Sequence, residues 1–217
     1  MKLSRTDIGA AAVFAAQFAA AGYVAKFGSS APIPLHFDVR GHADRWGDRA
    51  EQAGFMAAMT AVMALVYLAV RRSSAKGGQT TDDASVLVLA LSSIISAMGA
   101  ALGTGALSGS SALNAPAFHT GLLALLMLVI GVFLGKVSPN PWVGVRTFWT
   151  ANSRLAWDKA NRLAGRFYFW AGLGGLMIAP FTPQPAGMGV VIGAMILGAI
   201  LAVIESWRVW KTDPDRG

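Results

Sequence analysis

Polar and apolar residues in this chain segregate into long blocks instead of alternating. All charged residues except Lys26 lie outside six apolar stretches, Ile8–Phe27, Gly54–Val70, Ser85–Leu107, Ala117–Gly135, Phe167–Phe181 and Gly187–Ile204. A bilayer sorts a sequence in this way because a charge near its centre is costly. A helical span needs about 17–25 residues to cross the hydrocarbon. The pattern therefore predicts an all-α membrane protein with six transmembrane helices in a single membrane domain over residues 1–217, the second and fifth spans being the shortest. The first stretch follows Lys2 and Arg5, as a secretory signal would. Its apolar run from Ile8 to Tyr23 is interrupted only by Gln17 and exceeds the roughly 7–15 residues of a signal core, so an uncleaved first helix is expected.

Composition supports the pattern. Of 217 residues, 54% are hydrophobic and 13% charged, against about 45–50% and 25% in soluble domains. The absence of cysteine excludes disulfides, thiolate metal sites and a cysteine nucleophile. The net charge of +7 raises the question of nucleic acid, and the placement of the basic residues answers it. Four of the 18 Lys and Arg (Lys26, Arg40, Arg45, Arg49) fall at the end of the first stretch and in the loop that follows it. The other fourteen fall at the N-terminus, in 71–84, in 136–166 and in the C-terminal tail. Cytoplasmic loops carry the basic excess, so both termini are expected in the cytoplasm, and no direct contact with nucleic acid is expected.

Two loops carry candidate chemistry, the outer one over 28–53 and the inner one over 136–166. In the outer loop Pro32 and Pro34 favour an extended or edge-strand chain before His36, and Gly41 permits a turn. His36, Asp38, His42 and Asp44 offer nitrogen and oxygen donors that suit a small divalent metal. Strand alternation would scatter the four, and the plainer reading is a hydrogen-bonded or stacking His36 beside a solvated cluster of Asp44, Arg45, Asp48, Arg49 and Glu51. Trp46 fits an interfacial anchor. No metal or cofactor is expected.

In the inner loop Pro139, Pro141 and Gly144 fix an irregular turn before Arg146, and Thr150 is expected to cap a helix running towards the fifth span. Ala156, Ala160, Leu163 and Phe167 recur at helical spacing, and Arg154, Asp158, Asn161 and Arg162 share the opposite face. A basic amphipathic helix with Trp142, Phe148, Trp149 and Trp157 nearby fits the headgroup level, where anionic lipid headgroups attract it. Asn140, Arg146 and Thr147 could also form a polar node for a carboxylate, a phosphate or a partner, since Arg suits bidentate anion binding.

At these loops the sequence resembles the SdpI family of bacterial multispanning membrane proteins, whose namesake confers immunity to a secreted killing toxin. Pro34, His36, Gly41, Asp44, Trp46 and Gly47 match the outer motif of that family. Asn140, Gly144, Arg146, Thr147, Trp149, Thr150, Ser153, Trp157, Arg162 and Gly165 match the inner one. Phe37 stands where Trp is common, Arg49 near where Lys is common, and Asn161 where His is expected. The resemblance implies a protein of the bacterial cytoplasmic membrane that binds or neutralises a secreted peptide or protein toxin, with Pro34, His36, Asp44 and Trp46 outside and Asn140, Gly144, Arg146, Thr147 and Trp157 inside as determinants. It also implies a signalling branch in which the inner loop retains a cytoplasmic repressor at the membrane.

Two other readings stand beside immunity. A transporter of small molecules or lipids would place ionisable residues or broken helices near the midplane. The span interiors instead offer Gln17, Thr60, Ser92, Ser93, Ser96, Thr104 and His119, and glycines such as Gly99, Gly103, Gly172 and Gly175 suit close helix contacts. A membrane enzyme would need a nucleophile and base or a metal in mutual reach, for which only an outer cluster of His36, His42 and His119 suggests itself, so no catalytic activity is expected. Gly189 and Gly193 form a small-xxx-small pair suited to tight packing or a homodimer.

Overall fold

The structure, a computed structural model, describes residues 4–38, 40, 42–75, 82–107 and 116–216. The turn expected at Gly41 lies outside the described residues, as do 76–81 and 108–115. In chain order the elements are α1 (Arg5–Phe27), β1 (Ile33–Phe37), β2 (Ala43–Gly47), α2 (Arg49–Ala75), α3 (Asp82–Gly103), α4 (Pro116–Leu134), α5 (Phe148–Ala151), α6 (Arg154–Ile178) and α7 (Ala186–Thr212), with a single 3₁₀ turn at Ala179–Phe181.

Helices occupy all six expected stretches. Four are long and apolar enough to cross a membrane: Arg5–Phe27, Arg49–Arg72, Asp83–Gly103 and Ala186–Thr212. The apolar part of α4, Phe118–Leu134, is shorter. The remaining helix departs from expectation in a different way, because the amphipathic stretch and the fifth span form one continuous α6 of 25 residues. No proline interrupts it, so the backbone hydrogen bonds run through from the basic half, with Arg154, Lys159, Arg162 and Arg166, into the apolar half.

The helix starts are set by short polar side chains that accept otherwise unpaired N–H groups. Ser4 and Asp7 form a reciprocal capping box at α1, and the Asp48 carboxylate accepts the Glu51 N–H at 2.8 Å at the start of α2. Thr150 does not cap the long helix as expected. Thr147 caps the four-residue α5, Thr150 answers it from the N3 position, and Ser153 starts α6 by accepting the Ala156 N–H at 2.9 Å.

The chain divides into two compact units, Met1–Tyr67 with Val88–Ala115, and Leu68–Leu87 with Pro116–Gly217. In the first, α1 buries Ala10, Phe14, Gln17, Ala21 and Val24 at helical spacing, and Ala21 and Val24 pack on Ala53 and Met56 of α2. Polar links run through this interior. The Gln17 amide donates to Ser92 Oγ at 3.1 Å, the Gln52 amide donates to the Gly99 carbonyl at 3.0 Å, and Tyr67 donates to the Asp7 carboxylate at 3.0 Å.

In the second unit α4 and α6 cross almost backbone to backbone. A Cβ on Gly165 would lie 2.8 Å from the Gly135 nitrogen, and one on Gly172 would lie 2.8 Å from the Ala124 carbonyl oxygen. Only glycine fits such a crossing, as expected for small residues at helix contacts. Ala124, Met127 and Val191, then Leu134, Ala164 and Ala202, complete the apolar contacts of α4, α6 and α7. The inward face of α6 is Ala156, Trp157, Ala160, Asn161, Ala164 and Gly165. Asn161, expected on the polar face, is thus buried, because its amide is needed inside. A Cβ on Gly189 or Gly193 would meet nothing within 4 Å among the described residues.

Candidate functional site

The inner loop is held by its own motif residues. Asn140 uses its whole side chain locally: the amide oxygen accepts the N–H groups of Trp142 and Val143, each at 2.8 Å, and the amide nitrogen donates to the carbonyls of Ser138 and Val143, each at 2.9 Å. Trp157, 4% exposed, donates its indole N–H to the Val137 carbonyl at 2.8 Å. Gly144 has φ of +131° and lies against that indole, so a Cβ there would sit 2.8 Å from the ring and 3.0 Å from the Asn161 amide oxygen. Glycine is required at this position by both backbone angle and space.

The next residues are tied to α6 and α7. Asn161 accepts the Val145 N–H at 2.7 Å and donates to the Trp157 carbonyl at 2.9 Å. Thr150 donates to the Val145 carbonyl at 3.0 Å. Ser206 donates to the Val203 carbonyl at 2.7 Å, which leaves its oxygen to accept from Thr147 at 3.1 Å. The Ser153 hydroxyl donates to the buried carboxylate of Asp213, and Phe148 packs edge-on against Trp210 with ring centroids 6.1 Å apart. Ser206 and Asp213 were not legible as partners of this loop, since nothing local in the C-terminal helix marks a contact some sixty residues back along the chain.

Arg146 differs from its neighbours. It is exposed, and among the described residues its guanidinium has no hydrogen-bond or ion-pair partner. It borders a groove of about 480 Å³ whose walls include Asn140, Pro141, Thr147, Phe148 and Trp157. Of the inner candidates, then, Asn140, Gly144, Thr147 and Trp157 build the loop, and Arg146 is the one whose charged head is left for something else.

The outer loop is an antiparallel β1–β2 hairpin in which Pro34 lies opposite Trp46 and His36 opposite Arg45, with irregular register around His36. The extended chain expected after Pro32 is present. Pro34 is buried and Trp46 is 57% exposed. His36 Nδ1 lies 2.6 Å from Asp44 Oδ1 on the exposed surface, Arg45 pairs with Glu51, and Asp48 caps α2. Asp38 closes the hairpin turn: its Oδ1 accepts the N–H groups of Arg40 and His42, each at 2.8 Å, and its other oxygen lies 3.8 Å from His42 Nδ1. The His42 N–H above all holds the Asp38 carboxyl below its ordinary value of 3.8. The charge cluster expected to be merely solvated is thus partly organised into pairs and a cap. His119 is buried and packs edge-on against Phe118 with ring centroids 5.1 Å apart. Among the described residues no group of three or more His, Cys, Asp or Glu side chains could hold a metal ion.

Comparison with known proteins bears on the same loop. Residues 136–206 match the model of the SdpI/YfhL protein family. Over these residues the chain is similar to that family. The match starts at Lys136, takes in the whole inner motif and ends at Ser206, the partner of Thr147. With four helices long and apolar enough to cross a bilayer, it points to a membrane protein. No curated protein and no solved structure matches the chain.

Proposed function

We propose that this is an immunity-type protein of a bacterial cytoplasmic membrane, with both termini inside, that binds or senses a secreted peptide or protein toxin. The observation that carries the reading is the coincidence of the family match with the inner loop, in which Asn140, Gly144, Thr147 and Trp157 are spent on folding the chain and the Arg146 guanidinium is not. A guanidinium beside a groove recognises a carboxylate or phosphate in a planar, two-bond fashion. On this reading the groove takes an acidic group of a cytoplasmic partner such as a repressor. The outer hairpin meets the toxin through exposed Trp46, next to the His36–Asp44 pair, because an aromatic ring at an exposed position contributes large contact area.

The test is survival of toxin-sensitive cells exposed to secreted peptides from the native source, comparing wild type, His36→Ala, Trp46→Ala and an empty vector at equal membrane abundance. Protection by wild type, lost in Trp46→Ala, is the expected result. Survival equal to that of the empty vector in every case would overturn the immunity reading.

A further inference from the structure

A second groove in the unit containing α4, α6 and α7 has a different character from the one at Arg146. It runs between α4 and α6, measures about 430 Å³, and changes from basic at one end to aromatic at the other. Lys136, Arg162 and Arg166 line the basic end, and Val132, Phe169 and Trp170 the apolar end. Its floor is Gly131, Gly135 and Gly165, where the α4 and α6 backbones meet. No acidic side chain lines the groove. Among the described residues neither Arg162 nor Arg166 has a hydrogen-bond or ion-pair partner, and Lys136 only overlies the Phe133 ring at 5.9 Å.

We propose that this groove binds one anionic phospholipid, its phosphate held by Lys136, Arg162 and Arg166 and one acyl chain lying along Val132, Phe169 and Trp170. The order of the residues carries the argument. Arg162 and Arg166 are one turn apart on α6, and Phe169 and Trp170 follow within the next turn, so α6 offers cations and then apolar surface along one face, as a lipid offers phosphate and then hydrocarbon. Basic pockets between membrane helices suit anionic headgroups. A soluble acidic partner would match the basic end and leave Val132 and Trp170 uncovered. The inference is independent of the toxin reading and requires only that the protein sit in a membrane.

The experiment is native mass spectrometry of the full chain released from vesicles of equal phosphatidylglycerol and phosphatidylcholine. Wild type is expected to retain one phosphatidylglycerol with at least about tenfold preference over phosphatidylcholine, the scale set by several juxtamembrane cations. Arg162→Gln with Arg166→Gln should abolish the preference. Val132→Trp, which fills the apolar end and leaves every charge in place, should lower retention of both lipids, and it serves as the decisive variant if the double arginine variant does not fold. Equal retention of the two lipids by wild type, unchanged retention in Val132→Trp, or complete displacement of the lipid by millimolar inorganic phosphate would overturn the proposal.

Discussion

The amide oxygen of Asn161 lies 2.7 Å from the backbone nitrogen of Val145 and accepts its hydrogen bond, while the same amide donates to the Trp157 carbonyl at 2.9 Å. One buried side chain thereby fixes the path of the loop just before Arg146 and determines where the guanidinium stands. Asn161→Leu would leave the Val145 N–H without its acceptor, at a cost of about 1–3 kcal/mol. Asn161→His should cost less, because a neutral imidazole has one acceptor and one donor and can reproduce both bonds. Thermal unfolding of the two variants in the same detergent checks the order.

Gly144 presents a sharper case. Its φ of +131° and its contact with the Trp157 ring mean that Gly144→Ala adds backbone strain of about 1–3 kcal/mol to a clash. The expected outcome is faster proteolysis within residues 137–153 with helix content little changed, measured by mass mapping of the fragments. Unaltered cleavage would show that the loop is not held by this turn.

Inside the first unit, Gln17 donates to Ser92 while its buried amide oxygen has no partner among the described residues, and Gln17 lines a cavity of about 10 Å³ together with Thr60 and Ser96. Ser92 and Ser93 both donate to the Leu89 carbonyl, so they can only accept from the Gln17 amide. The amide orientation is therefore fixed, and the cavity has room for about one water. Gln17→Met, with similar volume and no polar atoms to satisfy, should change stability by less than about 1 kcal/mol. Ser92→Ala, which strands the amide, should cost about 1–2 kcal/mol. Unfolding midpoints in mixed micelles distinguish the two.

The hairpin has a defined acid limit. The Asp38 carboxyl is held below 3.8 by the N–H of His42 in particular, so the folded pKa lies under the unfolded one. Its contribution is then complete above the unfolded value and disappears as pH falls through the folded value. Amide exchange at Arg40 and His42, corrected for intrinsic rates, should stay constant from about pH 7 to 5 and rise below about 4. In Asp38→Asn the exchange should lack this step.

The sequence made the helices legible and left the contacts between them obscure. Charges avoid the apolar stretches because of the solvent, a property visible residue by residue, and helices stand where those stretches are. The division of the inner loop was less visible. Thr147, Thr150 and Ser153 are all good capping residues at three-residue spacing; Thr147 starts α5 and Ser153 starts α6, and the hydrogen bond that ties Thr147 to Ser206 is one that no local pattern reveals. Asn161 looked like one more polar residue beside Arg162. Its burial follows from the Val145 N–H, a backbone group whose need for an acceptor appears only once the loop is folded. The motif residues were found by type, but their roles separated only in three dimensions, where four build the loop and Arg146 is left outstanding.

We propose that this membrane protein protects its host and that Arg146 serves a role beyond holding the loop. The most direct measurement is the membrane potential of sensitive cells during exposure to the secreted peptides, in cells expressing wild type, Arg146→Gln, Asn161→Leu or an empty vector, with the abundance and unfolding midpoint of each variant recorded. Wild type should preserve the potential and Arg146→Gln should lose it with an unchanged unfolding midpoint, while Asn161→Leu loses both. A potential that collapses equally with wild type and empty vector, or that Arg146→Gln preserves in full, would contradict the proposal.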